Sequence, residues 1–240
     1  MKRFAWLLLL SFLILPPAAG AGVEVELFEF EGFDYEFPDN DPDTLGAVGD
    51  WYNMFGLVQS ANPSFLTTDF VANEYTCEFY NLWSQGFIDF EGFRFIQYND
   101  GMLQLYEDDR NLGTPAIYGI NPPNATVPST FKDGLLLLVG DVTGFGITLN
   151  LANSTGSFIG EVDFTGGSQI GNIPPDPERI YTFAGLTAVG GGSAPDAGFP
   201  ALQGAGIPEG YVHQVAGSVK IEQAVQTIDG TWGQMKALYR

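Results

Sequence analysis

Residues 23–37 read VEVELFEFEGFDYEF, with six carboxylates threaded between apolar and aromatic side chains. Alternation of this kind is the mark of a β-strand, because successive side chains point to opposite faces. The acids fall at 24 and 26, then at 29 and 31, then at 34 and 36, so the phase slips twice. A slip of one residue carries every later side chain to the other face of a straight strand. A bulge absorbs the extra residue and restores the facing. The expectation is therefore one or two edge-like strands with a bulge near Phe28 and a glycine-assisted bend at Gly32. The acids would mostly face water, and Phe28, Phe30, Phe33 and Tyr35 would supply the buried area. Part of the stretch returns: FEGF at 30–33 recurs at 90–93, which suggests one Glu-Gly bend used twice.

Further strand signals follow. GFIDFEGFRFIQY (86–98) runs into Asn99-Asp100-Gly101 and then MLQLYE (102–107). Asn-Asp-Gly tolerates the positive φ of a tight turn, so a hairpin is expected there. FGITLNLA (145–152), the turn NSTG and SFIGEVDFTGG (157–167) form a second expected hairpin. FKDGLLLLVGDV (131–142), RIYTFAGL (179–186) and YVHQVAGSVKIE (211–222) complete the set, while 186–210 reads as a long irregular loop. Helical rhythm is weak, with short helices conceivable only near 72–82 and in the tail. Many short strands with Gly-rich turns, 31 glycines in all, indicate an all-β fold. A jelly-roll-like β-sandwich is the favoured form and a closed β-barrel the alternative.

The first residues, MKR, then FAWLLLLSFLIL, then PPAAGAG, have the basic, apolar and small-residue layout of a secretory signal peptide. Cleavage is expected after Ala21. That divides the chain into a signal peptide (1–21), a single β domain (22–224) and a C-terminal tail (225–240). The tail contains TWG and KALYR, similar to short terminal tags on secreted bacterial proteins. No later segment approaches the ~20 apolar residues of a membrane-spanning helix. Localisation is therefore expected to be secreted, extracellular or periplasmic.

The 240 residues carry 9 basic and 29 acidic side chains, a net charge of −20, and no Lys or Arg lies between Arg3 and Arg94. Phosphate backbones are repelled, which excludes nucleic acid as a partner. Cys77, the single cysteine, forms no internal disulfide and reads as a small buried hydrophobe.

Asp39, Asp41 and Asp43 alternate in DNDPD. Together with Asp50 they form a candidate calcium site, since calcium takes six to eight hard oxygens. The spacing lacks the Gly and Glu of an EF-hand loop, and an acidic, Pro-containing surface loop is the plainer explanation. No other cofactor is indicated. His213 is the only histidine, and no Gly-x-Ser-x-Gly elbow accompanies it. The aromatics Trp51, Tyr52, Tyr80, Trp83, Tyr98, Tyr106 and Tyr118 are candidates for stacking on sugar rings. The function read from the sequence is an extracellular or cell-surface structural or adhesion-type protein without catalysis, with a glycan or a surface protein as partner. The alternatives are a carbohydrate-binding module using exposed aromatics and a glycoside hydrolase with paired carboxylates.

Overall fold

The computed structural model describes residues 24–38, 45–118, 128–153, 155–174, 179–189, 207–208 and 210–223. The expected signal peptide, the tail and residues Asp39, Asp41 and Asp43 lie outside the described residues. Among the described residues nine strands dominate: β1 (Glu24–Phe37), β2 (Trp51–Ala61), β3 (Asn73–Phe90), β4 (Phe93–Asn99), β5 (Met102–Asp109), β6 (Leu135–Asn150), β7 (Thr155–Gly166), β8 (Arg179–Val189) and β9 (His213–Gln223). Among the described residues no helix is long and apolar enough to cross a membrane.

The expected sandwich is not what forms. The chain winds up and down through one antiparallel sheet, and β1 pairs with β2 on one side and β9 on the other, closing an eight-stranded barrel. Closure removes the exposed edges that a sandwich would have to protect. The two faces of each strand then become an inside and an outside.

β4 and β5 occupy one place in the barrel as two arms of a single interrupted strand. Both pair with β3, from Phe90↔Phe93 through Trp83↔Asn99 to Tyr80↔Met102 and Asn73↔Asp109. Asn99-Asp100-Gly101 is therefore a kink within a strand and not the expected hairpin turn. The reversal comes earlier, at Glu91 (φ +51°) and Gly92 (φ +83°). Two consecutive positive φ values are what a two-residue hairpin requires. The segment near 72–82, allowed as a helix, is β3, held between β2 and β5. Residues 186–189, expected to begin a loop, belong to β8. The β6–β7 hairpin forms as expected, with Asn150 opposite Thr155.

The two copies of FEGF adopt different structures. The second is the hairpin turn. The first lies inside β1, with register to β2 and β9 unbroken through Gly32. A Cβ on Gly32 would sit 1.8 Å from the Phe55 carbonyl oxygen, so glycine is required there for close approach and not for a bend. The register shifts of β1 fall earlier, between Glu26 and Phe28 against β9 and between Glu29 and Phe30 against β2. The bulge expected near Phe28 is therefore present, and the bend at Gly32 is not.

Without a second slip, Phe30, Gly32, Asp34 and Glu36 all face the barrel interior, and Glu31, Phe33 and Tyr35 face outward. Asp34 and Glu36 are fully buried, and Glu31 is only 3 % exposed. This corrects the expectation that the acids of 24–36 mostly face water; it holds for Glu24 and in part for Glu26 and Glu29. Glu31 and Phe33 are covered from outside by an apolar layer of Phe55, Phe131, Tyr118 and Tyr211. The Tyr118 hydroxyl donates to the Glu31 carbonyl (3.3 Å), and the Tyr211 hydroxyl to the Tyr118 carbonyl (3.0 Å).

The middle of the barrel is filled by rings. Phe30 meets Phe79 at 5.4 Å, Phe79 meets Phe183 at 4.9 Å, and Phe183 meets Phe145 at 5.7 Å between centroids. An eight-stranded barrel is just wide enough for side chains to fill it. The outer faces of β6 and β7 expose Asp141, Thr143, Ser157, Glu161 and Asp163. Ile159, on the same outer face of β7, is 62 % exposed, so this face is mixed and mostly polar, unlike the continuous apolar band of a barrel built for lipid.

Candidate functional site

One end of the barrel, where β1 finishes and β2, β4 and β9 begin, holds three features: a sealed polar network, an open cleft and an exposed aromatic row.

The network grows from the inward face of β1. Asp34 lies opposite His213 across the β1–β9 ladder. Its Oδ1 accepts the His213 backbone N–H (2.9 Å) and lies 2.8 Å from the ring Nδ1, while Oδ2 accepts the Tyr52 hydroxyl (2.6 Å). A carboxylate facing Nδ1 favours a proton on that nitrogen. Nε2 is then left buried, with no hydrogen-bond partner among the described residues. Two residues on, Glu36 accepts the Tyr98 hydroxyl on Oε1 (2.6 Å) and the Gly46 N–H on Oε2 (2.7 Å). Tyr52 and Tyr98 pack against each other at 5.3 Å, and both touch Phe145.

Burial sets the electrostatics here. Loss of solvent pushes the Glu36 carboxyl up to about 7, opposed by its two hydrogen bonds and reinforced by Asp50 and Asp34. The Tyr52 and Tyr98 hydroxyls are pushed well above the usual phenol range, by burial first and by the neighbouring carboxylates second. Both therefore remain hydrogen-bond donors.

The network also positions a loop. Gly46, held by Glu36 through its N–H, accepts the Ser84 hydroxyl on its carbonyl (2.7 Å). Ser84 in turn donates its backbone N–H to the Asp50 carbonyl (2.7 Å). Leu45 is buried beneath the loop, and Arg94 reaches its carbonyl at 3.4 Å. Residues 45–50 are thus tied to β1, β3 and β4 at once.

The loop forms one wall of an open cleft of roughly 650 Å³, lined by Ala47, Val48, Gln85, Phe87, Phe95 and Gln97 among others. The opposite wall exists because β3 bulges between Ser84 and Phe87. Arg94 supports the floor: its guanidinium stacks on Phe87 (3.8 Å to the centroid) and forks onto Asp89 at 2.8 and 3.0 Å. That pairing holds the Asp89 carboxyl below the usual range. Gln97 donates its amide to the Phe145 carbonyl (2.8 Å), and Gln85 donates its own to the Trp83 carbonyl (3.3 Å). Each amide is anchored through its NH2, which leaves its oxygen to accept from a ligand.

Beside the cleft, Phe37, Trp51 and Trp83 form a cross-strand row on the outer face. The two indoles are nearly parallel (16°, centroids 6.1 Å apart), and Phe37 meets Trp51 edge-on at 5.4 Å. Of the seven aromatics picked from the sequence, Trp83 is exposed and Trp51, Tyr80 and Tyr118 are half-buried. Tyr52, Tyr98 and Tyr106 are buried and corrected to structural roles.

Asp50, the one described member of the candidate calcium set, is buried at the barrel rim. Among the described residues no cluster of three or more His, Cys, Asp or Glu side chains is arranged to hold a metal. Sequence reasoning missed Asp34 and Glu36 as network members. It also missed Phe87, Phe95, Gln85 and Gln97, the nearest of which, Gln85, lies 38 residues from Ala47, so that only the tertiary fold brings them together. Comparison with protein families, with curated proteins and with solved structures returns no match to this chain.

Proposed function

We propose that this chain is an exported, non-catalytic barrel of the cell exterior, an adhesion-type protein that holds a neutral glycan in the cleft between residues 45–50 and the β3–β4 hairpin. The observation that carries the reading is the cleft itself: a concave site walled by Phe87 and Phe95, with the amide oxygens of Gln85 and Gln97 presented beside the exposed Trp83. A sugar ring offers an apolar face to an aromatic and hydroxyl donors to amide oxygens, and this lining supplies both. A net charge of −20 favours neutral over acidic glycans.

The absence of catalysis in this reading rests on where the reactive groups lie. Asp34 and Glu36 are two apart on one strand, about 7 Å along the backbone, a spacing that two hydrolytic carboxylates would accept. Both are fully buried and engaged by protein donors, however, and neither lines the cleft. Export rests on the layout of residues 1–21, and N-terminal sequencing of protein recovered from outside the cell is expected to begin near Gly22.

The test is a glycan array probed with residues 22–240, followed by titration of any hit. Trp83→Ala and Phe95→Ala are expected to weaken binding tenfold or more while leaving the melting curve within a few degrees. An array with no neutral glycan above background overturns the proposal.

A further inference from the structure

The β3–β4 hairpin carries a second surface, which continues from Ile88 and Phe95 at the cleft wall out to the tip. Ile88 lies opposite Phe95, and Phe90 opposite Phe93, so all four share one face. They are 71, 44, 61 and 40 % exposed. The neighbouring β6–β7 turn adds Leu151, 47 % exposed, whose N–H donates to the Gly92 carbonyl at 2.9 Å. Every residue from 87 to 93 is exposed, on both faces of the ribbon, so the hairpin projects past the barrel rim. Five large apolar side chains on a projecting tip lose free energy to water unless something covers them.

We infer that the hairpin tip inserts into the interfacial layer of an electrically neutral lipid surface, with Phe90, Phe93 and Leu151 as the inserted groups. Shape and charge together select this occupant. A projecting tip offers too little area to a second copy, since a stable protein interface buries about 1,200 Å² or more. Two copies would also bring −20 against −20, with a Glu91 at each tip. An anionic membrane is disfavoured for the same reason. Among the described residues Arg94 is the only basic side chain at this end of the barrel, and it is committed to Asp89. The described chain enters and leaves the barrel at the far end, where Glu24 pairs with Glu222. A zwitterionic bilayer accepts Phe and Leu at its interface and imposes no charge penalty. This inference does not rest on the glycan reading, because its principal residues lie outside the cleft.

The experiment is flotation of residues 22–240 with phosphatidylcholine vesicles at 0.15 M salt, repeated with half the lipid replaced by phosphatidylglycerol. Flotation with the neutral vesicles is expected, and weaker flotation with the anionic ones. The double change Phe90→Ser, Phe93→Ser is expected to reduce partitioning at least tenfold with an unchanged circular dichroism spectrum, and Leu151→Asp, on the other hairpin, to do the same. Failure to float, flotation only with anionic lipid, or flotation unaffected by both variants overturns the inference. So does a concentration-dependent dimer that these changes abolish, which would assign the tip to a second copy. Flotation that appears only when residues 224–240 are deleted would assign it to the tail and overturns it likewise.

Discussion

Replacing Glu36 by Gln tests the electrostatics of the sealed network. The carboxyl titrates at about 7 in the folded protein against an ordinary value of 4.5, because burial disfavours its charge. A raised acid is an asset to the fold only while it is neutral. Below pH 4.5 both folded and unfolded chains hold the proton, and the contribution is fully present. Between 4.5 and 7 the unfolded chain ionises first, and stability falls by about 1.4 kcal/mol per pH unit. Above 7 both states are ionised and the loss is complete, on the order of 3 kcal/mol. Glutamine keeps the shape and never ionises. It retains one good acceptor for Tyr98 or Gly46 and leaves the other donor poorly met, at a cost of about 1 kcal/mol. The variant is therefore expected to be slightly less stable than wild type at pH 4.5 and more stable by about 2 kcal/mol at pH 8. Urea denaturation from pH 4.5 to 8.5 at fixed ionic strength measures this. The difference between the two proteins cancels the general self-repulsion of an acidic chain, which also grows with pH. A difference that stays flat across the range would refute the placement of Glu36 as a buried acid held near neutrality.

Three further outcomes are expected. Gly32→Ala forces a Cβ onto the Phe55 carbonyl and is expected to cost more than 2 kcal/mol. Gly92→Asn, at a positive φ with open space around it, is expected to cost only a few tenths; equal costs in urea melts would show that the two FEGF copies are not structurally different. Salt of any simple type is expected to raise the melting temperature by screening the acidic chain; an excess for calcium over sodium at matched ionic strength, lost when Asp39, Asp41 and Asp43 are changed to Asn, would assign a calcium site there, and no excess reduces that stretch to an acidic loop. Cys77, wholly buried with its thiol pushed up by desolvation, is expected to resist an aromatic disulfide reagent until the protein unfolds; rapid labelling of the native protein would place it at the surface.

Much of the fold was legible in the sequence. Strand signals marked β1, β5, β7, β8 and β9, and marked β6 as two segments, 131–142 and 145–152, that the structure joins into one strand; the turn before Thr155 was read correctly, because a strand's residue preferences and a turn's φ requirements are local properties. The strand β2, WYNMFGLVQSA, was passed over: apolar on both faces at Met54 and Phe55, it has no wet face to produce alternation. Asn99-Asp100-Gly101 resembled a turn more than Glu91-Gly92 did, yet pairing with the whole length of β3 carried the chain onward through a kink at the first and reversed it at the second. Local propensity permits both outcomes, and the register of a long ladder chooses between them.

What the sequence determined by itself is an acidic, all-β chain with one cysteine, and a bulge early in β1. The tertiary structure alone decided that the sheet closes, and closure assigned the carboxylates of β1 their places. Phase along a strand says which residues share a face. It does not say whether that face meets water, a barrel interior or an outer layer of rings. Asp34 and Glu36 became buried because β9 paired with β1 and set His213 opposite Asp34, 179 residues away in the chain. A contact of that separation leaves no local trace in the sequence, since neither side chain needs its partner in order to fit its own strand.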